Sequence, residues 1–367
     1  MPNRRHFLTS AAAAGAGLAM PAARGREGAP IKYLQIGTAH AHASKITVYR
    51  DSPEWEVVGV VEPDEERRRA AETSATYRGL PFLSLEQGLN ISGLKAVGIE
   101  TEVRDLLIHA ERAIDAGCHV HLDKPAGESL AHYRRILDKA DRAGLTVQMG
   151  YMYRFNPAVQ FLRECLAKGW LGEIFEVHTV MSKVVPAGGP RRELAAYPGG
   201  TMFELGCHII DLTVAVLGKP DRIHAHPRRV VTDAGDNLVD NMLAVFEYPK
   251  ATATVRSTAV EVEGGARRHF VACGTEGTCH IEPLDRPRVR LALSRDREGY
   301  RKGYQEIPFE PPYQRYVGDA ADLAAIIRGE KTHAWNSAHD LAVQEAVLLA
   351  SALDPAAFPA PPSPAPL

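Results

Sequence analysis

The chain is short of the features that would place it in a special class. Its 43 Lys and Arg are balanced by 45 Asp and Glu. It therefore has no basic surplus with which to neutralise a phosphate backbone, and nucleic acid is excluded as a partner. Aromatic residues make up 7%, too few for a membrane or fibrous protein. The small, apolar run Ala11 to Met20 falls well below the roughly 20 residues a helix needs to cross a bilayer. Cysteine is scarce: Cys118, Cys165, Cys207, Cys273 and Cys279 are scattered and odd in number, which argues against a disulfide framework. No internal repeat is present. What remains is an ordinary globular composition over 367 residues, enough for two domains with their own cores.

The amino terminus has the form of a twin-arginine export signal. Asn3-Arg-Arg-His-Phe-Leu-Thr9 is followed by Ala11 to Met20 and by Pro21-Ala-Ala23. Residues 1–29 are therefore set outside the fold. The expectation is a protein that folds in the cytoplasm, uses the twin-arginine machinery and works in the periplasm, with no membrane span in its mature form.

From Ile31 onward strands and helices alternate. Ile31 to Ile36, Trp55 to Val61 and Ala96 to Glu100 read as strands, and His42 to Arg50 and Asp64 to Tyr77 as helices. That order predicts a doubly wound α/β sheet. Gly37 closes the first strand where a helix begins, the place at which a dinucleotide pyrophosphate meets exposed helix N–H groups. The following Thr38-Ala39-His40-Ala41-His42 departs from G-x-G-x-x-G at Ala39 and His42, which predicts a displaced or widened loop. Glu62 closes the second strand at the spacing of the acid that binds an adenosine ribose, favouring NAD over NADP because a carboxylate repels a 2′-phosphate.

The helical pattern Leu106 to Gly117 leads into a short strand that ends on Asp123-Lys124-Pro125. On local pattern the lysine is either a surface turn or a group delivered to the crevice at the carboxyl end of the sheet. Gly150 to Pro157 reads as a strand end turning into a helix from Ala158 to Lys168, with Tyr153, Arg154 and Asn156 offered to substrate hydroxyls. Between Gly199 and Leu217, Glu204, His208 and Asp211 stand at helical spacings of four and three and so share a face. Cys207 diverges from that face and reads as packing. Strands near Ile223 to His226, Asn241 to Glu247, Ala251 to Ser257 and His269 to Cys273, with a hairpin turn at Gly274 to Gly277, predict a second sheet. Helices at Tyr316 to Arg328 and Ser337 to Ala352 close the fold, and the proline-rich tail from Asp354 reads as disordered.

Five stretches together resemble one family in order and spacing. They are Gly37 to Lys45, Val58 to Asp64, Ala116 to Pro125, Gly150 to Pro157 and Gly199 to Asp211. The family is that of glucose-fructose oxidoreductase, inositol dehydrogenase and MocA (Gfo/Idh/MocA). The resemblance implies a nicotinamide-binding Rossmann domain over residues 30–150. It implies an α/β domain with a large, open, mostly antiparallel sheet over residues 151–353, used for substrate and for homo-oligomerisation. The tail is residues 354–367. Cofactor contacts are expected from Gly37, Thr38, Ala39, His40, His42, Glu62, Thr101, Asp123 and Lys124. Asp123 stands where the family usually has glutamate, and Thr101-Glu102 where it has Thr-Pro.

The resemblance makes His208 the catalytic histidine and puts Glu204 where an aspartate is common. As an alcohol dehydrogenase, the chain would use His208 to take the hydroxyl proton. Lys124 would hold the alkoxide or share the proton, provided burial or a neighbouring cation lowers its pKa, and Glu204 would orient or tune His208. Tyr153, Arg154, Asn156 and Asp211 would meet the sugar or cyclic polyol. Outside the cytoplasm the NAD would have to be retained through turnover. Two other readings stay open: a redox-neutral, NAD-dependent glycoside hydrolase or lyase, and a non-catalytic sugar-binding protein. Three His-x-His pairs (His40 and His42, His119 and His121, His224 and His226) suggest zinc, but no carboxylate or cysteine stands at a convincing spacing, so no metal is expected.

Overall fold

A computed structural model describes residues 28–364 except residue 311; the expected export signal lies outside them but for its last two residues. The first sheet contains β1 (Ile31–Ile36), β2 (Trp55–Val61), β3 (Phe82–Leu83), β4 (Leu94–Ile99), β5 (His119–Leu122) and β6 (Val147–Met149). All six run parallel in the order β3-β2-β1-β4-β5-β6. Strand order reverses between β1 and β4, so the crevice at their carboxyl ends is the ligand-binding position of such a sheet. Buried on both faces, the strands are near-continuous apolar runs. In β1, Leu34 and Ile36 enter the main core, whereas Ile31 and Tyr33 join Tyr49 and Trp55 on the opposite face.

The chain returns to that opposite face late. Ala320, Leu323 and Ala324 of the helix Val317–Ile327 pack with Tyr33 and Tyr49, so the carboxy-terminal half also covers the first sheet.

The second sheet contains β7 (Ile174–Ser182), β8 (Arg222–Arg228), β9 (Asn241–Glu247), β10 (Thr252–Thr258), β11 (His269–Gly274), β12 (Gly277–Ile281), β13 (Val289–Leu293) and β14 (Gly303–Ile307). Its order is β14-β13-β12-β11-β7-β10-β9-β8, and only the β7–β10 pairing is parallel. Met242, Ala244 and Phe246 of β9 turn inward to the core that includes Ile209, Leu212, Val343 and Val347. Burying a side chain such as Phe246 contributes about 1.5–3 kcal/mol. The other face alternates polar and apolar residues and is open. Among the described residues no helix is long and apolar enough to cross a membrane.

Three local expectations are corrected. The helix expected over Asp64 to Tyr77 is Glu65–Thr73, because Asp64 is its cap and accepts from Arg67 N. Met202–Gly206 is a π-helical turn before the α-helix Cys207–Leu217. The tail is held in place: Ser129 Oγ donates to Phe358 O at 2.8 Å and Arg135 Nη1 to Pro361 O at 2.7 Å.

Candidate active site

Gly37 is fixed by close approach as well as by conformation. Its φ is +92°, and a Cβ there would lie 2.5 Å from Thr101 N, so no other residue fits. The loop beyond it is pinned at three places. Thr38 donates from N (2.6 Å) and Oγ1 (2.7 Å) to Glu62 Oε2. His40 N donates to Glu100 O at 2.9 Å, and His40 Nε2 donates to Lys124 O at 3.0 Å. Asp64 N donates to the other Glu62 oxygen at 3.0 Å.

Asp123 sits under this loop with no exposure. Its oxygens accept from Lys45 Nζ (2.7 Å), Lys124 N (2.7 Å) and His42 Nδ1 (3.2 Å), and His40 Nδ1 lies 3.2 Å away. Burial pushes its carboxyl up, but His40, Lys45 and His42 outweigh that and hold it well below the usual carboxylate range. With both oxygens occupied, Asp123 ties the loop to the end of β5 and does not face a ligand, which corrects its assignment to the cofactor. His42 is pushed down to about 4, by burial first and against the pull of Asp123, so it is neutral at pH 7.

Lys45 points inward at the start of the following helix. Its ammonium is buried 2.7 Å from Asp123, 2.9 Å from Glu100 and 3.0 Å from His121 Nε2. Burial opposes the charge, but Asp123 and Glu100 hold Lys45 above the ordinary lysine range. Asp123, from another strand, supplies the carboxylate that local spacing did not show, and the ligand atoms of His40, His42 and Asp123 lie within 4.8 Å of one another. Lys45 already takes the place of a cation on that carboxylate.

Lys124 crosses to the second half of the chain. Its Nζ donates to Glu204 Oε1 at 2.7 Å and to Glu204 O at 2.9 Å. Burial would lower its pKa, but the attraction of Glu204, with smaller help from Cys207 and Asp123, wins and raises it above the ordinary value. The condition for proton sharing, a lowered lysine pKa, is not met: Glu204 holds Lys124 in its ammonium form at neutral pH. Glu204 is driven down to about 2, since Lys124 and Lys183 overcome its burial. Its hydrogen bonds come from Lys124 and not from His208, which corrects its orienting role.

His208 is 2% exposed, with ring centroids 5.5 Å from Tyr153, 6.1 Å from Tyr151 and 6.1 Å from His42. Burial, then Lys124 and His42, hold it well below the ordinary histidine range. Its Nδ1 is buried without a hydrogen-bond partner. The lowered pKa keeps the ring neutral at pH 7, so the imidazole is in the form that can accept a proton.

Three expected substrate contacts are corrected. Arg154 is buried against Asp211 (2.6 Å) and Asp340 (2.5 Å) and stacks 4.4 Å from the Trp335 ring centroid. Asp211 also takes His339 Nε2 at 3.2 Å. Asn156 caps the following helix through Ala158 N (2.9 Å) and donates to Leu284 O (2.8 Å). These residues lock helices together. Tyr153 remains beside His208, its hydroxyl donating to Asp285 at 2.6 Å. Lys183, Arg268, Asp285, Arg315 and Tyr316 also belong to this region and were missed, because each stands alone in a strand end or loop without a motif.

A cavity of about 430 Å³ opens beside the loop, lined in part by Ala39, Glu62, Thr101, Arg67, Glu102 and Arg104. Its place at the carboxyl ends of β1, β2 and β4 fits the adenosine half of a dinucleotide.

Residues 31–151 match the family described as "Oxidoreductase family, NAD-binding Rossmann fold", and residues 159–280 match "GFO/IDH/MocA C-terminal domain". The chain is 30% identical over 231 residues to D-xylose 1-dehydrogenase (NADP(+)) 2 of Haloferax volcanii, covering 61% of this chain and 68% of that protein. It is 31% identical over 122 residues to D-glucoside 3-dehydrogenase of Escherichia coli, covering 32% of this chain and 35% of that protein. UDP-N-acetylglucosamine 3-dehydrogenase of Acidithiobacillus ferrooxidans shares the fold, with a TM-score of 0.71 at 20% identity over 89% of this chain and 98% of that one.

Proposed function

The chain belongs to the GFO/IDH/MocA family of NAD(P)-binding oxidoreductases, and from that premise we propose that it oxidises a secondary alcohol of a sugar or cyclic polyol with a retained NAD. The observation that carries this reading is the meeting of the Lys124 ammonium, delivered by the first sheet and held by Glu204, with the neutral His208 imidazole from the second half of the chain. Lys124 has three N–H donors, of which Glu204 takes two. The third serves the alcohol oxygen and stabilises the charge that develops there. His208 accepts the hydroxyl proton on its imidazole. Ala39 and Thr101 line the cavity and would meet the dinucleotide, whereas Thr38 and Glu62 are spent on each other and shape and charge its wall. The nicotinamide, when bound, supplies the acceptor for the hydride that leaves the carbinol carbon.

NAD is favoured over NADP by charge. The cavity is lined by four carboxylates (Glu62, Asp64, Glu102 and Asp105) against two guanidiniums (Arg67 and Arg104), and both arginines pair with Glu102. A 2′-phosphate would add charge to an already negative site. Arg4-Arg5 supports export to the periplasm, where no pool of free nicotinamide exists and the cofactor must stay bound. The open face of the second sheet supports a homo-oligomer. A panel of pyranoses, glycosides and inositols assayed for oxidised product tests the reading: no oxidation of any alcohol, with or without added NAD, overturns it.

A further inference from the structure

The wall of the crevice opposite the phosphate loop is positively charged, and its charges are not balanced. Lys183 follows β7 directly, its backbone N fixed to Thr258 O at 3.0 Å. Its half-buried side chain makes no ion pair or hydrogen bond with any described residue, although its charge acts on Glu204. Glu204 is already engaged at 2.7 Å by Lys124. Arg268 precedes β11. Its Nε donates to Ser182 O at 3.0 Å and its Nη1 to Asp285 at 2.7 Å. Asp285 is shared further with Arg315 and with the Tyr153 hydroxyl, and the Tyr153 ring stands 5.5 Å from His208. Around the reacting position there are thus four cations (Lys124, Lys183, Arg268 and Arg315) against three carboxylates (Glu204, Asp285 and Asp123), and Asp123 is already paired with a fifth cation, Lys45.

A neutral sugar needs no such surplus. Hydroxyls are met by carboxylates and amides as readily as by cations, whereas uncompensated lysine beside buried cations is costly unless an anion joins it. Burial, the Lys124 charge and the Arg268 charge all push the Lys183 ammonium down, and only Glu204 opposes them, so an arriving anion relieves an existing repulsion. We propose that the alcohol oxidised at this site carries an anionic group, a carboxylate or a phosphate, held by Lys183 and Arg268 while Lys124 and His208 address the hydroxyl. This rests on the dehydrogenase reading of the same site and narrows its substrate class to acidic or phosphorylated sugars and polyols.

Calorimetric binding to the NAD-loaded protein separates the two claims, because it does not require turnover. Glucose, glucuronate and a glucose phosphate serve as neutral, carboxylate and phosphate probes. One charge-assisted contact corresponds to about 10- to 100-fold in affinity. The expected result is at least about tenfold tighter binding of one anionic probe than of glucose, with the ratio collapsing toward unity in Lys183→Met and returning in Lys183→Arg. The better of the two anions identifies the source of the charge. Glucose binding as tightly as both anions, no binding of either anion at millimolar concentration, or a preference that persists in Lys183→Met overturns the proposal. Oxidation of neutral sugars without anion preference sinks this inference alone. Selective anion binding without oxidation of any alcohol sinks the dehydrogenase reading and leaves the anion site standing.

Discussion

Lys124 Nζ is bonded twice to Glu204, at 2.7 Å through the carboxylate and at 2.9 Å through the backbone carbonyl. One lysine from the first sheet is thereby fixed to the turn that carries His208 from the second half of the chain. The ammonium is positioned by the partner that raises its pKa, so charge and geometry have the same origin.

Lys124→Met and His208→Asn are each expected to lower kcat by about 10²- to 10⁴-fold, the usual range for losing a proton-transfer or charge-stabilising group. Unchanged circular dichroism and cofactor content would show that the fold survives. Losses below tenfold at both positions would remove these residues from the reaction.

Glu204→Gln should move the alkaline limb of kcat/KM to lower pH. In the wild type Glu204 holds Lys124 above its ordinary value against burial, so the lysine stays charged through the accessible range. Without that attraction burial prevails and the proton leaves earlier. The acidic limb, set by His208, should lie well below the ordinary histidine value in the wild type. An acidic limb at about 6.5 would show that the histidine is more exposed during turnover than in this structure.

Arg154→Met should act on stability and not on substrate recognition. It leaves Asp211 and Asp340 buried without their cation, and breaking a buried pair costs about 3–5 kcal/mol. The measurement is the urea midpoint together with KM. A raised KM at unchanged stability would restore Arg154 to the substrate site.

Asp319 has a buried carboxylate with no hydrogen-bond partner, and burial raises its pKa to about 7. A carboxyl raised on folding is tolerated while protonated; its stability contribution erodes from the unfolded value upward and is lost as pH passes about 7. Asp319→Asn should therefore raise Tm more at pH 8 than at pH 4. An equal change at both pH values would show that the carboxyl does not titrate there.

The fold was legible where burial is two-sided. β1 and β2 end as expected at Ile36 and Val61, because parallel strands buried on both faces are apolar runs stopped by Gly37 and Glu62. β13 and β14 escaped notice because they are half-exposed and carry Arg290, Gln305 and Glu306 among their apolar positions. At the site, the strand end that delivers Lys124 and the helix that delivers His208 were readable from local pattern and family likeness. The fate of Arg154 was not. A buried strut and a substrate ligand look alike until Asp340, 186 residues away, is seen against it.

The most demanding prediction is that NAD stays bound through turnover. Retention at nanomolar protein requires a binding free energy near −12 kcal/mol. His40, His42 and Lys45, the side chains available to a pyrophosphate on sequence grounds, all bond with Asp123 or the Lys124 carbonyl. Tightness must then come from backbone groups and from a loop that needs no ordering: Gly37 is wedged against Thr101, Thr38 is held by Glu62 and His40 N by Glu100 O. Pre-organisation of this kind lowers the entropy lost on binding. Glu62→Ala should weaken retention by freeing Thr38, and should narrow any preference for NAD over NADP by removing a negative charge from the cavity. The measurement is the nicotinamide released on denaturing protein purified from the exported fraction, followed by assay with and without added NAD. About one nicotinamide per chain in the wild type, with clearly less in Glu62→Ala, is the expected outcome. Wild-type protein that emerges empty and turns over only with external NAD would establish an exchanging dehydrogenase, and the pinned loop would then hold the site open for exchange.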